Sequence, residues 1–384
     1  MILYFSSSIK DDYFSQMVKE KKITAGHQAQ KFNSLIIKGL SAYTDVCAIS
    51  NPPYNSFVCA KSICDCDEKI KYCVLGSNQG RLHKVLNYLE MRSLSLSMSR
   101  EEKPEAIVCD AINPLASLNA LQISRKYKIP AIAIITDIPE KLRSGNKLFR
   151  RFASFLMKKY HGYVVLTEAM IPFVNKKNRP YIVVEGSCED SETLDKISKS
   201  TDNRFTCVYA GSIAPLTGIE ELVQSVALIN SEDFELNIYG NGKLADWIVE
   251  QRATDDRINY YGIVTNAEAV QAQKDAKLLI NPRPDNIVYG NLSFPSKIME
   301  YMASGTPLLT TKLPGIPSEY FDYLYTIDDC SAEGIAKAIS DVISIPSEER
   351  EKKGQSAREF VLREKNNVKQ AGRIMALIEE IKNK

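Results

Sequence analysis

The strongest constraint on what this chain can fold into is a rhythm that runs through it twice. Continuous apolar runs recur at MILYF (1–5), DVCAIS (45–50), YCVLG (72–76), AIVCD (106–110), AIAIIT (131–136), GYVVLT (162–167) and YIVVEG (181–186). Helical patterns lie between them, among them HQAQKFNSLIIKGL (27–40), LHKVLNYLEMRS (82–93) and PLASLNALQISRKY (114–127). Strands without polar alternation are buried on both faces, which implies a parallel sheet covered by helices on each side. The polar stretch SCEDSETLDKISKSTDN (187–203) breaks the rhythm and reads as a linker. The pattern then restarts at FTCVYAG (205–211) and continues through FELNIYG, INYYGIV, KLLINP, PLLTT and YLYTI. At 384 residues the chain exceeds one ordinary core. We expect an α/β protein of two doubly wound, Rossmann-like domains, residues 1–188 and 204–358, with a cleft between them. The segment 356–384 reads as one long amphipathic helix with no strand after it.

Charge separates the halves. The formal total is +2, yet residues 1–188 hold 27 Lys and Arg against 16 Asp and Glu, and the remainder is net acidic. A basic half suits an anionic surface or substrate without naming it. Within it, KLRSGNKLFRRFASFLMKK (141–159) sets cations among Leu, Phe and Met at helical spacing. Such a helix lies on an anionic bilayer or turns its apolar face into the core; the surplus of positive charge favours the bilayer. No apolar run approaches the ~18 residues of a membrane span, and MILYFSSSIKDDYF reads as a strand and a loop rather than a secretion signal. Nine scattered cysteines then suit a reducing, cytoplasmic setting. Cys59, Cys64, Cys66 and Cys73 cluster without the CxxC spacing of most zinc sites, so free thiols are favoured over a metal.

Ligands of such sheets sit at the carboxyl ends of strands, where a loop feeds a helix N-terminus. Two loops stand out. In AGSIAPLTGI (210–219), Gly211 and Ser212 directly follow a strand, and the backbone can approach an anion there. The run is neither GxGxxG nor a P-loop, and its plainer reading is a simple strand-to-helix turn. In KLLINPRPDNIVYGNLSFPSKIMEYMASGTPLLTT (277–311), Arg283 closes a strand between two prolines. Pro295 sits in the first turn of the next helix, Ser293 or Ser296 can cap it, and Gly305 with Pro307 ends it. Lys297 in that first turn opposes the helix dipole unless an anion is also present. Glu300 shares its face, so the pair is either part of an anion site or a surface ion pair. In the first half, Asp137 follows the strand AIAII; it suits sugar hydroxyls or a developing oxocarbenium ion, or else caps the turn before Pro139. His27 and Gln28 lie where a loop enters a helix.

The run SFPSKIMEYMASGTP (293–307) resembles the signature segment of retaining GT-B glycosyltransferases of family 4, which build bacterial surface polysaccharides. The likeness extends over nearly the whole chain, through Tyr209-Ala210-Gly211, Gly262-Ile263-Val264 and the final helix. It implies the GT-B fold, with the helix at 360–384 packing back on the first domain. It also implies that Glu300 binds the ribose of a nucleotide sugar, that the Ser293–Ser296 loop (with Phe294 and Pro295) offers amides to the donor sugar, and that Gly262, Ile263 and Val264 lie beside the base. The family's first glutamate is Leu292 here, and its usual Arg and Lys fall on Ser212 and Thr217. Arg283 and Lys297 are the replacement cations, because a diphosphate leaving group needs positive charge. The implied reaction moves a sugar from a nucleotide sugar, expected to be UDP-linked, with retention, to a polyprenyl-diphosphate-linked saccharide at the inner face of the plasma membrane. Asp137 would face the reacting carbon, and His27 and Gln28 would lie on the acceptor side. No metal, cofactor or nucleic acid is implied. An epimerase of nucleotide sugars and a non-catalytic partner subunit fit the same scaffold.

Overall fold

The computed structural model describes residues 1–19, 27–51, 63–76, 81–141, 146–189, 204–285 and 290–384. Cys59, the Thr24–Gly26 loop, residues 142–145 of the basic segment and residues 190–203 of the expected linker lie outside them. The chain divides into two units, Met1–Ser187 with Asn366–Lys384, and Cys188–Lys365.

The described residues of the first unit form eight strands: β1 (Ile2–Ser6), β2 (Val46–Ser50), β3 (Ile63–Asp67), β4 (Ile70–Val74), β5 (Ala106–Asp110), β6 (Ala131–Ile135), β7 (Gly162–Val165) and β8 (Tyr181–Val183). They form one sheet in the order β3-β4-β2-β1-β5-β6-β7-β8, parallel except for the β3–β4 hairpin. Strands β1, β2, β5, β6 and β7 are buried along their whole length, as their unbroken apolar sequences require. The helices are α1 (Asp11–Lys19), α2 (His27–Ser41), α3 (Arg81–Glu101), α4 (Pro114–Tyr127), α5 (Lys147–Met157) and α6 (Ile171–Val174).

The second unit holds β9 (Phe205–Ala210), β10 (Phe234–Tyr239), β11 (Ile258–Gly262), β12 (Leu278–Asn281), β13 (Leu308–Thr311) and β14 (Tyr325–Ile327). Their order is β11-β10-β9-β12-β13-β14, and every pairing is parallel. Helices α7 (Ile219–Ser225), α8 (Ala245–Arg252), α9 (Asn266–Asp275), α10 (Ser296–Ser304), α11 (Ala332–Ser344) and α12 (Ser347–Glu364) accompany them. The apolar side chains of the sheet and helices gather in two clusters, one including Ile219, Leu222 and Ile339 and the other Ile298, Met302 and Phe360.

The chain ends in α13 (Asn367–Lys382), which belongs to the first unit and packs on α2. A Cβ on Gly39 of α2 would sit 2.1 Å from the carbonyl oxygen of Asn367, so only glycine permits this approach. Ala371, Ile374, Leu377 and Ile378 of α13 join Ile36, Ile37 and Leu40 over the sheet.

Three elements differ from the sequence reading. The expected single helix at 356–384 is two, because Lys365 leaves helical geometry and the Asn366 side chain caps α13 by accepting the Lys369 N–H at 2.7 Å. Strand β3 was not expected, since ICDCD alternates polar and apolar as an edge strand does. The loop expected after β1 contains α1. Among the described residues, no helix is long and apolar enough to cross a membrane, and no group of three or more His, Cys, Asp or Glu could hold a metal ion.

Candidate functional site

The carboxyl ends of β9 and β12 and the start of α10 build one site in the second unit. Helix α10 begins after Pro295, and no side chain caps it. Neither Ser293 nor Ser296 takes the capping role expected of them: Pro295 itself is the cap residue, and Ser296 is the first, exposed residue of the helix. An uncapped helix start leaves first-turn N–H groups and the positive end of the dipole available to an anion.

Lys297 rises from this turn toward β9. Its Nζ lies 3.8 Å from the centroid of the Tyr209 ring, a close cation–π contact. A Cβ on Gly211 would lie 2.2 Å from Lys297 Cε and 2.3 Å from Nζ, so the glycine after β9 makes the space that the ammonium occupies. Lys297 thus carries a cation from α10 to the loop where Ser212 and Thr217 carry none. Burial lowers its pKa to about 7; the Glu300 carboxylate acts against that shift and the Arg283 guanidinium adds to it. Part of the lysine still reaches solvent, so it is accessible to a ligand from one side.

Arg283 follows β12 after Pro282 and is half-buried. Burial lowers its pKa too, opposed by Tyr209. Among the described residues neither Arg283 nor Lys297 makes a hydrogen bond or an ion pair. Two desolvated cations that repel each other are costly in a fold unless an anion binds there.

Glu300, one turn along α10, is held by Gln273 of α9, whose Nε2 donates to Oε1 at 2.9 Å. The next residue, Tyr301, is fully buried; its hydroxyl accepts from the Ala210 N–H at 2.7 Å and donates to the Ala210 carbonyl at 3.0 Å. That clasp fixes α10 against the end of β9 and so sets the reach of Lys297. The Tyr209 hydroxyl donates to the Ser212 carbonyl at 2.7 Å and holds the same loop. Sequence reasoning gives no role to Tyr209, named only within the Tyr209-Ala210-Gly211 run, or to Tyr301, the neighbour of Glu300.

The other donor-side residues fall as follows. Phe294 is buried against Tyr320, ring centroids 5.4 Å apart, so its side chain anchors the loop in the core and leaves only its backbone for a ligand. Pro295 is buried and Ser293 partly so. Gly262 ends β11, followed by Ile263 at 78% exposure and a part-buried Val264. Beside them Tyr239 and Tyr261 stack at 4.7 Å.

In the first unit, Asp137 follows β6. Part of it meets solvent, yet desolvation raises its carboxyl pKa above the ordinary value, with the Thr136 hydroxyl opposing. Behind it, at the end of β5, is a buried acid that the sequence reading missed. Asp110 accepts from Asn33 Nδ2 at 3.1 Å, and Asn33 Oδ1 accepts from the Tyr4 hydroxyl at 2.7 Å. Burial pushes Asp110 up to about 6, and the charge of Asp137 adds to the rise. Its only sequence signal was an aspartate closing an apolar strand. His27 opens α2 and only its backbone is described, while Gln28 beside it is exposed.

Both units are doubly wound parallel α/β layers, and solved structures of similar architecture align over the whole chain. Sucrose-phosphate synthase from Thermosynechococcus elongatus aligns with a TM-score of 0.69 at 14% identity, covering 99% of this chain and 99% of its own. The HepE protein of Anabaena, solved with UDP, aligns with a TM-score of 0.64 at 12% identity and the same coverage. The chain has the GT-B fold. The lipopolysaccharide outer core galactosyltransferase WaaB is a third GT-B neighbour, with a TM-score of 0.62 at 13% identity over 99% of each chain. Residues 204–344, the part of the GT-B chain that contains Lys297, match the family described as Glycosyl transferases group 1. No curated protein sequence matches the chain.

Proposed function

We propose that this protein is a retaining glycosyltransferase that uses a UDP-sugar donor and a polyprenyl-diphosphate-linked saccharide acceptor. The observation that carries the reading is the pair of desolvated cations, Lys297 in the uncapped first turn of α10 and Arg283 after β12, neither of which makes an ion pair among the described residues. The α- and β-phosphates of the donor would sit on them, and Glu300 would accept from the ribose hydroxyls. As the anomeric bond breaks, negative charge grows on the β-phosphate, where two cations and the helix N-terminus stabilise it without a metal. The acceptor is assigned to the first unit, where Asp137 at the end of β6 is the acid offered to it. The departing phosphate assists on the face where the acceptor attacks, which gives retention. The family match over residues 204–344 and the UDP bound by the GT-B neighbour HepE support this assignment.

A panel of nucleotide sugars tests it. UDP and one UDP-sugar at a hundred times Kd are expected to stabilise the protein against heat by about 2.7 kcal/mol, with ADP- and GDP-sugars giving less. Absence of any stabilisation by nucleotide, at millimolar concentration, would instead favour the non-catalytic subunit.

Helix α5 supports the placement of the acceptor in a membrane. Its Leu148, Phe149, Phe152 and Phe155 are exposed (73%, 46%, 41% and 55%), and its core side is Ala153, Leu156 and Met157. Lys147, Arg151 and Lys159 are exposed on the same segment, Lys158 pairs with Glu140 at 3.7 Å, and the Lys159 ammonium covers the Phe155 ring at 4.6 Å. An apolar ridge edged by cations suits an anionic bilayer surface. The protein is expected to float with vesicles of anionic lipid and not of neutral lipid. Replacing Leu148 and Phe152 with Asp removes two anchors of roughly 1.5–3 kcal/mol each and should reduce partitioning at least about a hundredfold. Undiminished flotation of that variant would reject α5 as the membrane element.

A further inference from the structure

The β3–β4 hairpin at the edge of the first sheet concentrates thiols that the proposed reaction does not use. Cys64 on β3 and Cys73 on β4 are directly opposed in the antiparallel register. Their sulfurs are 2.9 Å apart, within an ångström of the ~2.05 Å disulfide bond. Cys66, two residues on, shares their face, as does Cys47 on β2, which pairs with Lys71 in parallel register. The Cys47 thiol is hydrogen-bonded to Cys73 and buried, whereas Cys64 is exposed. One sulfur of the opposed pair therefore meets solvent, and the other waits behind it at contact distance.

We propose that Cys64 and Cys73 are an oxidisable dithiol site, closed to a cross-strand disulfide by a peroxide. The exposed Cys64 sulfur takes one oxygen from hydrogen peroxide, forming a sulfenic acid and releasing one water. Cys73 then attacks the Cys64 sulfur. The S–S bond forms, the S–O bond breaks, and the hydroxide leaves with the thiol proton as a second water. Two electrons pass from the two thiols to the peroxide, which is reduced to two waters in all. Burial and the neighbouring Cys73 push the Cys64 thiol up to about 12, so little thiolate exists at neutral pH. The site is accordingly slow, responding to sustained oxidation and faster as pH rises. Closing it pins the edge strand β3 to the sheet across a ten-residue loop counted from Cys64 through Cys73.

The full chain is treated with hydrogen peroxide, alkylated and digested for mass spectrometry. The expected product is a dithiothreitol-reversible crosslink between the Cys64 and Cys73 peptides, about 2 Da lighter than their sum. Cys64→Ser and Cys73→Ser should each abolish it, and Cys66→Ser should leave it intact. The proposal is overturned if Cys64 over-oxidises to a sulfinic acid while Cys73 stays alkylatable. It is equally overturned if Cys73 links to Cys47, or if Cys64 remains a free thiol at saturating peroxide.

Discussion

Lys297→Ala is expected to weaken UDP binding by roughly 10–150-fold, the ~1.5–3 kcal/mol of a charge-assisted phosphate contact, and to lower turnover further. The two effects differ because ground-state UDP already carries its charge on both phosphates, whereas in the reaction the β-phosphate gains charge only as the bond breaks. A loss of folding does not explain the result in advance. Burial is the largest influence on Lys297 and outweighs the attraction of Glu300, so removing the lysine relieves a desolvation cost together with repulsion from Arg283. The variant should melt at or above the parent temperature while binding UDP poorly, as read by calorimetry alongside a thermal scan. Glu300→Gln provides the contrast. It keeps both cations and alters the ribose contact, so it should weaken UDP less than Lys297→Ala. UDP affinity unchanged in Lys297→Ala would mean that the phosphates bind elsewhere, and the site assignment would fail.

The sheets were legible in the sequence because their strands are buried on both faces and therefore written as unbroken apolar runs. The hairpin strand β3 was not, since ICDCD lies at an edge and carries no such signature. Lys297 was legible for a different reason: a cation at a helix start violates the dipole rule, and that violation can be seen without coordinates. Its destination could not be read. The approach to Gly211 depends on α10 being clasped to Ala210 by Tyr301, a contact between residues 91 positions apart. Asp110 illustrates the same limit. An aspartate ending a strand is unremarkable until Asn33 and Tyr4, far away in sequence, are seen to enclose it. For α5 the amphipathic pattern was visible, but only burial told which side faced the core. Periodicity carries the layers; the identity of cross-element partners is what sequence spacing leaves out.

UDP affinity is expected to fall with pH in a range where neither UDP nor an ordinary lysine titrates. Lys297 has its pKa lowered to about 7 by burial in the empty site, with Arg283 adding to the shift, Glu300 opposing it, and Tyr209 itself pushed up to about 12. A bound diphosphate favours the ammonium and raises that value again. Above pH 7 the empty protein must therefore take up a proton to bind. Below pH 7 it is already charged and takes up none. The affinity should drop with a slope approaching tenfold per pH unit from roughly pH 7.5 to 8.5, since the terminal phosphate of UDP, with a pKa near ~6, is fully ionised there and the uracil ring is still neutral. Calorimetry at pH 8 in buffers of different ionisation enthalpy should register nearly one proton taken up. Lys297→Met should bind weakly with no proton uptake and a flat profile, while Glu300→Gln should keep the slope. The sign for the free protein is opposite. A lysine whose folded pKa lies below its unfolded one lets the unfolded state bind more protons between about 7 and 10.4, so its contribution to stability rises with pH across that window. Binding that weakens while the empty fold strengthens, over the same pH interval and through the same side chain, distinguishes Lys297 from any surface lysine. A flat affinity profile in the parent protein would show that Lys297 keeps its charge throughout and does not gate the phosphate site.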